Sequence, residues 1–452
     1  MTQSMATDAA KKYAPIPRMP GPPIVGHLKT FRDDRIGLQL RVAREYPEIA
    51  ALRFGFVDAV MITSPALAQE VLATKEHAFV KAPGLTVFMR PLLGNGLLTS
   101  QTEFHARQRK LLAPAFAHKR IASYAATMAE RGARWAEGVR DGEELDVAEG
   151  MMRVTLEIVG KTLFDSEVGS DAEAVGEALT LAMQTALAQL GSLVPLPPAV
   201  PSPRNLRAKK AVARLDGIVY RMIKDRRAKG GDRGDVLSML LAAQDDDGGV
   251  MTDTQVRDEA MTLFLAGHET TANAMAWTLY LLARNPDARA RVEAEIDALG
   301  HPPAADDLPR LPYTLAALKE GMRLYPPAYT LARRVVQPVV IGEHLLAKNT
   351  IVFINILGIH RRPDSFPEPE AFRPERFLGD REKQLARCAY LPFGAGPRIC
   401  IGNHFALMEG HMLLASILAR LRFEREISAP IVPEPLVTLR PRGGLTMRAH
   451  VR

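Results

Sequence analysis
The string Phe393-Gly394-Ala395-Gly396-Pro397-Arg398-Ile399-Cys400-Ile401-Gly402 has the residue types needed to hold a metal on one sulfur. Gly394 and Gly396 permit tight turns and close approach to a flat partner. Helical apolar spacing follows from Asn403 to Leu418, so Cys400 stands just before a helix N-terminus. There the dipole and free amides favour a thiolate. A buried structural cysteine is the plainer alternative. A second candidate is Ala266-Gly267-His268-Glu269-Thr270-Thr271, set in an apolar run from Met261 to Trp277. Polar groups opened into a core are costly unless something uses them. The alternative is an amphipathic helix whose polar patch faces water. Glu320 and Arg323 are three apart and can pair on one helix face, although most such pairs are exposed and contribute little. Arg376, in Phe372-Arg373-Pro374-Glu375-Arg376-Phe377, could reach a carboxylate with its forked guanidinium.

These residues need elements to position them. The longest helical candidate runs from Asp253 to Arg284, with Thr252 and Gln255 as a capping box. Asn285-Pro286 ends it. Its roughly 30 residues would span about 45 Å. Glycine and back-bonding threonine predict a bend in its middle. A second helix spans Tyr313 to Leu324 and stops at Pro326-Pro327. Strand-like runs occur at Ala50–Arg53, Ala59–Ile62, Val335–Ile341, Thr350–Asn355 and Leu445–Ala449. Leu193 to Pro203 holds five prolines and reads as a loop. Asp245-Asp246-Asp247-Gly248-Gly249 reads as a turn. Pro15 to Pro23 reads as an extended lead-in, because proline lacks the amide hydrogen. No internal repeat is visible.

The 452 residues, 47% hydrophobic and 24% charged, exclude overall disorder. A prior of about 150 residues per domain would give three units, a prior that large folds break. Two cysteines, Cys388 and Cys400, exclude a disulfide scaffold. No secretory signal or membrane-spanning run is visible, so a reducing cytoplasm is the default compartment and no integral membrane anchor is expected. The net charge of +7 is locally clustered. Pro201–Asp235 holds 11 Lys/Arg against 4 Asp/Glu, and Arg381–Arg452 holds 11 against 5. These are solvated helix faces or a docking face for an acidic protein; no nucleic-acid motif accompanies them.

In register, Phe393, Gly396, Arg398, Cys400 and Gly402 resemble the haem loop of the cytochrome P450 monooxygenases, Phe-x-x-Gly-x-Arg/His-x-Cys-x-Gly. Three more motifs of that family follow its order. They are Ala/Gly-Gly-x-Asp/Glu-Thr-Thr/Ser at Ala266 to Thr271, Glu-x-x-Arg at Glu320 and Arg323, and Phe-x-Pro-x-Arg-Phe at Phe372 to Phe377. The resemblance covers nearly the whole chain. It implies a mainly α fold with small β-sheets (α+β), shaped as a triangular prism with a long bent helix over the haem. Residues 1–23 would be the lead-in and residues 24–452 a single haem domain.

The resemblance also implies roles. Cys400 would ligate the iron of haem b (iron protoporphyrin IX). Amides of the loop around Gly394 and Gly402 would bond its sulfur, and Phe393 would shield it. Ala266 would lie over the haem. Glu320, Arg323 and Arg376 would form a structural triad. His105, Arg109, Arg333 and Arg398 would hold the propionates, with Arg334 competing for the place of Arg333. Glu269 and Thr270 would relay protons, while His268 would be structural. The pocket would take Phe88, Met89, Met183, Leu187, Thr262, Leu265, Ala266, Ala328, Tyr329, Thr330 and Leu331, a lining suited to fatty acids, terpenoids or steroids.

The implied reaction is hydroxylation or epoxidation of a hydrophobic small molecule with O2 and electrons from NAD(P)H. No flavin or ferredoxin unit is expected in the about 50 residues after Cys400. Electrons would come from an acidic ferredoxin or flavodoxin with its reductase, docking near Arg107, Lys110, Lys119 and Arg120. A monomer is expected. The alternative is a non-oxygenase or peroxide-driven haem protein on the same fold; the Glu269/Thr270 pair favours the monooxygenase.

Overall fold
The longest helix begins where its capping box predicts. Thr252 N–H donates to Gln255 Oε1 at 2.8 Å and Gln255 N–H donates to Thr252 Oγ1 at 3.2 Å. The computed structural model describes residues 13–165, 176, 178–185, 200–231, 233–244, 248–425 and 431–452. Five of its helices matter most for the site: α1 (Thr102–Leu112), α2 (Val147–Phe164), α3 (Asp253–Arg284), α4 (Pro312–Leu324) and α5 (Asn403–Leu418). The α3 helix is unbroken over 32 residues and buries apolar side chains on nearly every face. Such a helix is held by packing on all sides rather than by one apolar stripe. It lies along α2 and also packs on α4 and α5. Phe164 stacks on Phe264 with ring centroids 4.1 Å apart. Thr155 Oγ1 donates to His268 O at 3.1 Å, an outside donor reaching the middle of α3.

A five-stranded sheet stands beside this helical body: β1 (Ile49–Phe54), β2 (Val57–Ile62), β3 (Phe79–Lys81), β4 (Leu331–Val335) and β5 (Ile351–Ile354). The spatial order is β1-β2-β5-β4-β3. The β2–β5 pair is parallel and the other pairs are antiparallel. The proline-rich lead-in joins the β1 edge, with Met19 N donating to Ala51 O at 3.0 Å and Ala51 N to Pro17 O at 2.8 Å. A second sheet of three short strands joins Glu144–Asp146, Thr446–Val451 and Leu421–Glu424.

One strand expectation is corrected. Val335–Ile341 is not a single run but the end of β4 and a separate strand, Val339–Ile341. Pro338 lies between them, and proline cannot donate to a ladder. Residues 245–247 of the expected turn and 193–199 of the proline-rich loop lie outside the described residues.

Candidate functional site
The loop before α5 is closed by its own backbone. Cys400 N donates to Phe393 O at 2.9 Å, Ile399 N to Gly396 O at 3.0 Å, and Gly394 N to Leu391 O at 3.1 Å. Gly396 has φ +71°, and a Cβ there would stand 1.9 Å from Leu72 O, so only glycine fits. Arg109 Nη1 donates to Ile399 O at 2.7 Å and ties α1 to the loop. Phe393 packs on the main core, while Cys400 is exposed. The Gly402 amide hydrogen-bonds the sulfur. Although solvent reaches Cys400, the protein packed around its sulfur pushes the thiol pKa up, against the Gly402 amide and Arg109. The helix terminus alone therefore does not make the expected thiolate; a cationic partner on the sulfur would.

The α3 helix is open at one place. Ala266 is exposed, and Gly267 and Thr270 are half-buried, in a stretch whose other residues are buried. Thr270 Oγ1 donates to Ala266 O at 2.7 Å. Glu269 turns elsewhere: it is 1% exposed, and Thr438 Oγ1 donates to its Oε1 at 2.7 Å. Its Oε2 has no partner among the described residues, and burial raises its pKa. Glu269 and Thr270 are adjacent in sequence, but their side chains bond different partners. His268 is buried with Nδ1 2.6 Å from Phe264 O, the structural place expected for it.

Beside the Cys400 loop lie five basic side chains: Lys81, His105, Arg109, Arg333 and Arg398. Lys81 and Arg333 face each other across β3 and β4. Like charges directly opposite in a sheet are destabilising without an anion between them. Burial and the neighbouring cations lower Lys81 to about 7, His105 to about 3 and Arg333 to about 10. Glu76 bonds Arg398 Nε at 2.7 Å. Arg398 Nη1 and Arg333 Nε have no partner among the described residues. A cavity of about 690 Å³ is lined by Glu76, His105, Arg109 and Arg398 among others. A cation surplus with unpaired donors fits a dianion, as the two propionates of a haem are, and the nearby sulfur fits its iron. Strand alternation puts buried Arg333 in this group, whereas Arg334 is on the other face. Sequence reasoning missed Lys81; the one signal was a lysine closing an otherwise apolar strand, Phe79-Val80-Lys81.

Behind the loop, Glu320 and Arg323 are fully buried and joined by bonds of 2.7 and 2.9 Å. Arg376 Nε reaches Glu320 Oε1 at 3.3 Å, and Arg373 N donates to the same oxygen at 2.9 Å. Arg323 also donates to His360 O, Pro369 O and Ala371 O. His360, another residue the motifs did not reveal, accepts from Leu391 N at 2.7 Å and so links this cluster to the Cys400 loop. Burial and Arg323 lower its pKa to about 3, so it is neutral.

The expected pocket residues divide. Met89, Met183, Thr262 and Leu265 are buried, the first two and Leu265 within the main core. Phe88, Ala328, Thr330 and Leu331 are half-buried, and Leu331 lies next to Gly394. Leu187 lies outside the described residues. Tyr329 is corrected: it packs in a separate cluster with Leu357 and Leu439, and its hydroxyl bonds Leu436 O at 2.9 Å and Arg35 at 3.0 Å. A phenol with two such partners is anchored rather than turned to a ligand. Arg120 is also tethered, donating to Gly234 O at 2.6 Å.

The family model for cytochrome P450 matches residues 17–447. Cyclooctatin synthase of Streptomyces melanosporofaciens is 37% identical over 93% of this chain and 92% of its own. Pentalenene oxygenase of Streptomyces avermitilis is 31% identical over 95% and 96%. The crystal structure of the cytochrome P450DA heme domain superposes with a TM-score of 0.87 at 27% identity, covering 97% of this chain and 98% of that one. The chain belongs to the cytochrome P450 family and is an enzyme of its monooxygenase class. The family implies haem and the use of O2. No helix among the described residues is long and apolar enough to cross a membrane.

Proposed function
We propose that this P450 hydroxylates or epoxidises a cyclic terpenoid, with electrons delivered from NAD(P)H by a separate acidic ferredoxin or flavodoxin. The observation that carries the reading is the break in α3 burial at Ala266 and Thr270, beside a core of Met89, Met183 and Leu265. Relatives named for cyclooctatin and pentalenene, both cyclic terpenoids, favour that class over linear fatty acids. A pocket with apolar walls and few polar groups selects by shape.

Haem bound at Cys400 supplies the activation of O2. The chain supplies everything that positions and protects it. Arg109, Arg333, Arg398 and His105, joined by Lys81, hold the two carboxylates. The Gly402 amide moderates the donor strength of the sulfur. Thr270 carries a hydroxyl proton at Oγ1 and Glu269 a carboxyl whose affinity for a proton is raised by burial, and together they act as the proton relay. Since Thr438 holds Glu269, that relay requires one of the side chains to move. The apolar side chains exclude water from the reacting carbon.

The basic segment ending near Asp235 belongs to helix Pro203–Lys229, which packs on α3. Its lysines and arginines other than Arg226 are exposed; the donor face is assigned to exposed Arg107, Lys110 and Lys119 because α1, which carries the first two, also carries Arg109, bonded to the Cys400 loop. Turnover with a ferredoxin should fall steeply as salt rises, since exposed charges are screened within about 10 Å at 0.1 M; salt-independent turnover contradicts this docking.

The test of function is a spectral titration of the ferric enzyme with cyclic terpenes and linear fatty acids, followed by turnover. The expected result is a spin-state shift with the terpenes and product that requires NAD(P)H, ferredoxin and reductase. Product formed only with peroxide would select the peroxide-driven alternative.

A further inference from the structure
The segment from Gly94 to Ser100 is held from two sides by buried ionisable groups, of which Asp258 and Glu259 have no part in the reaction above. It leaves the short helix Arg90–Leu93, just after Phe88 and Met89, and leads into α1, which carries His105 and Arg109. On the α3 side, Asn95 N donates to Asp258 Oδ2 at 2.7 Å and Leu97 N donates to Glu259 Oε2 at 2.8 Å. On the sheet side, Lys81 Nζ donates to Leu97 O at 2.7 Å and to Ser100 O at 2.9 Å. Both backbone polar groups of Leu97 thus end on buried ionisable side chains, with Glu259 1% and Lys81 6% exposed. Loops usually bond water instead. The approach to α3 is close: a Cβ at Gly96 would stand 2.2 Å from Thr262 Oγ1 and 2.5 Å from Asp258 O. Arg257 braces Asp258 at 3.0 Å and is itself held by Asp216 of helix Pro203–Lys229 at 2.5 Å.

We propose that Glu259, assisted by Asp258, is a positioning residue for substrate selection, fixing the Gly94–Ser100 segment as a strut between the Phe88–Met89 wall and the haem-carboxylate cations. Lys81 ties the same strut to the cation cluster, so one segment registers both sides of the site. The strut rests on hydrogen bonds alone; its effect on selection rests on the proposed pocket. Position 259 must supply an acceptor, ionised or neutral, because Leu97 N–H is buried away from water. Loss of the Glu259 acceptor also leaves a buried Leu97 N–H unsatisfied, which should raise local opening by roughly tenfold or more.

The test uses the haem-loaded enzyme and the variants Glu259→Leu, Glu259→Gln and Asp258→Ala. Amide hydrogen exchange at residues 95–100 is measured without substrate. Dissociation constants are then measured for limonene, a cyclic terpene, and lauric acid, a linear chain. Glu259→Leu should exchange about tenfold faster or more there at unchanged haem content, and its preference between the two ligands should shrink at least severalfold. Glu259→Gln keeps an acceptor for Leu97 N–H and should stay near wild type in both readouts. Asp258→Ala frees Asn95 N–H, leaves Arg257 still held by Asp216, and should move both in the same direction by less, which keeps the test decisive should Glu259→Leu fail to fold. Unchanged exchange in Glu259→Leu and Asp258→Ala overturns the strut. Faster exchange with an unchanged ligand preference overturns its role in selection. If wild type binds neither ligand, the terpenoid reading fails, and the exchange result still decides the strut.

Discussion

Behind Cys400, buried charges find one another: Glu320 meets Arg323, Arg376 and the Arg373 amide, and Arg323 spends its remaining donors on three carbonyls. Around the middle of α3 the polar groups are only partly paired. Glu269 Oε2 and Thr262 Oγ1 have no partner among the described residues, and Ala266 opens in the middle of a buried helix. Buried polar groups are normally paired, so a closed network marks a lock and an open one marks a place where a ligand or a proton is handled. The cation cluster is intermediate, half satisfied by Glu76 and half waiting for an anion.

The largest effect should come from opening the lock. Glu320→Ala leaves the Arg323 charge buried without its partner, a loss of about 3–5 kcal/mol in comparable pairs. The purified variant should lack stable haem, measured as the haem-to-protein ratio; normal occupancy would erase the distinction between the two sides. On the open side, Thr270→Ala should keep haem and substrate binding. Product formed per reductant should fall by about tenfold or more, since a positioned proton donor is worth at least that, with peroxide appearing instead. Unchanged coupling would move the relay elsewhere.

Next comes the cluster. Arg398→Ala removes one charged donor of several, so haem should transfer to a scavenging apoprotein roughly tenfold faster, a smaller loss than for Glu320→Ala. The smallest effect concerns Glu409, on α5. Burial holds its carboxyl up to about 8 from an ordinary 4.5, with the Thr271 hydroxyl pulling it down. Between those values the folded protein keeps a proton that the unfolded chain has released. Stability therefore falls as pH rises through that window. Glu409→Gln removes this term, so between about pH 5 and 8 the wild type should lose a few degrees of unfolding midpoint relative to the variant. Parallel curves would show Glu409 to be ionised in the fold.

What the sequence made legible was local. The α3 cap is set by Thr252 and Gln255, three residues apart, and its end by Asn285-Pro286. The Glu320–Arg323 pair is one helical turn, and the Cys400 loop is a single string. Lys81, His360, Asp258 and Glu259 were not legible, because their meaning arises from partners far along the chain: Leu97 meets Glu259 across 162 residues and His360 meets Leu391 across 31. Tyr329 was misplaced for a related reason. An extended segment alternates its side chains, and only the tie to Arg35 and Leu436 shows which way it turns. Adjacent Glu269 and Thr270 look like one device in sequence, yet helical geometry sets their side chains about 100° apart.

The central claim is that Cys400 is the sulfur that holds the haem iron. Its most direct test is the absorption spectrum of the reduced enzyme under carbon monoxide, recorded for wild type, Cys400→Ser and Cys388→Ser. Wild type and Cys388→Ser should show the strongly red-shifted Soret band diagnostic of thiolate ligation, and Cys400→Ser should lose it. A Cys400→Ser protein that kept the band would contradict the account.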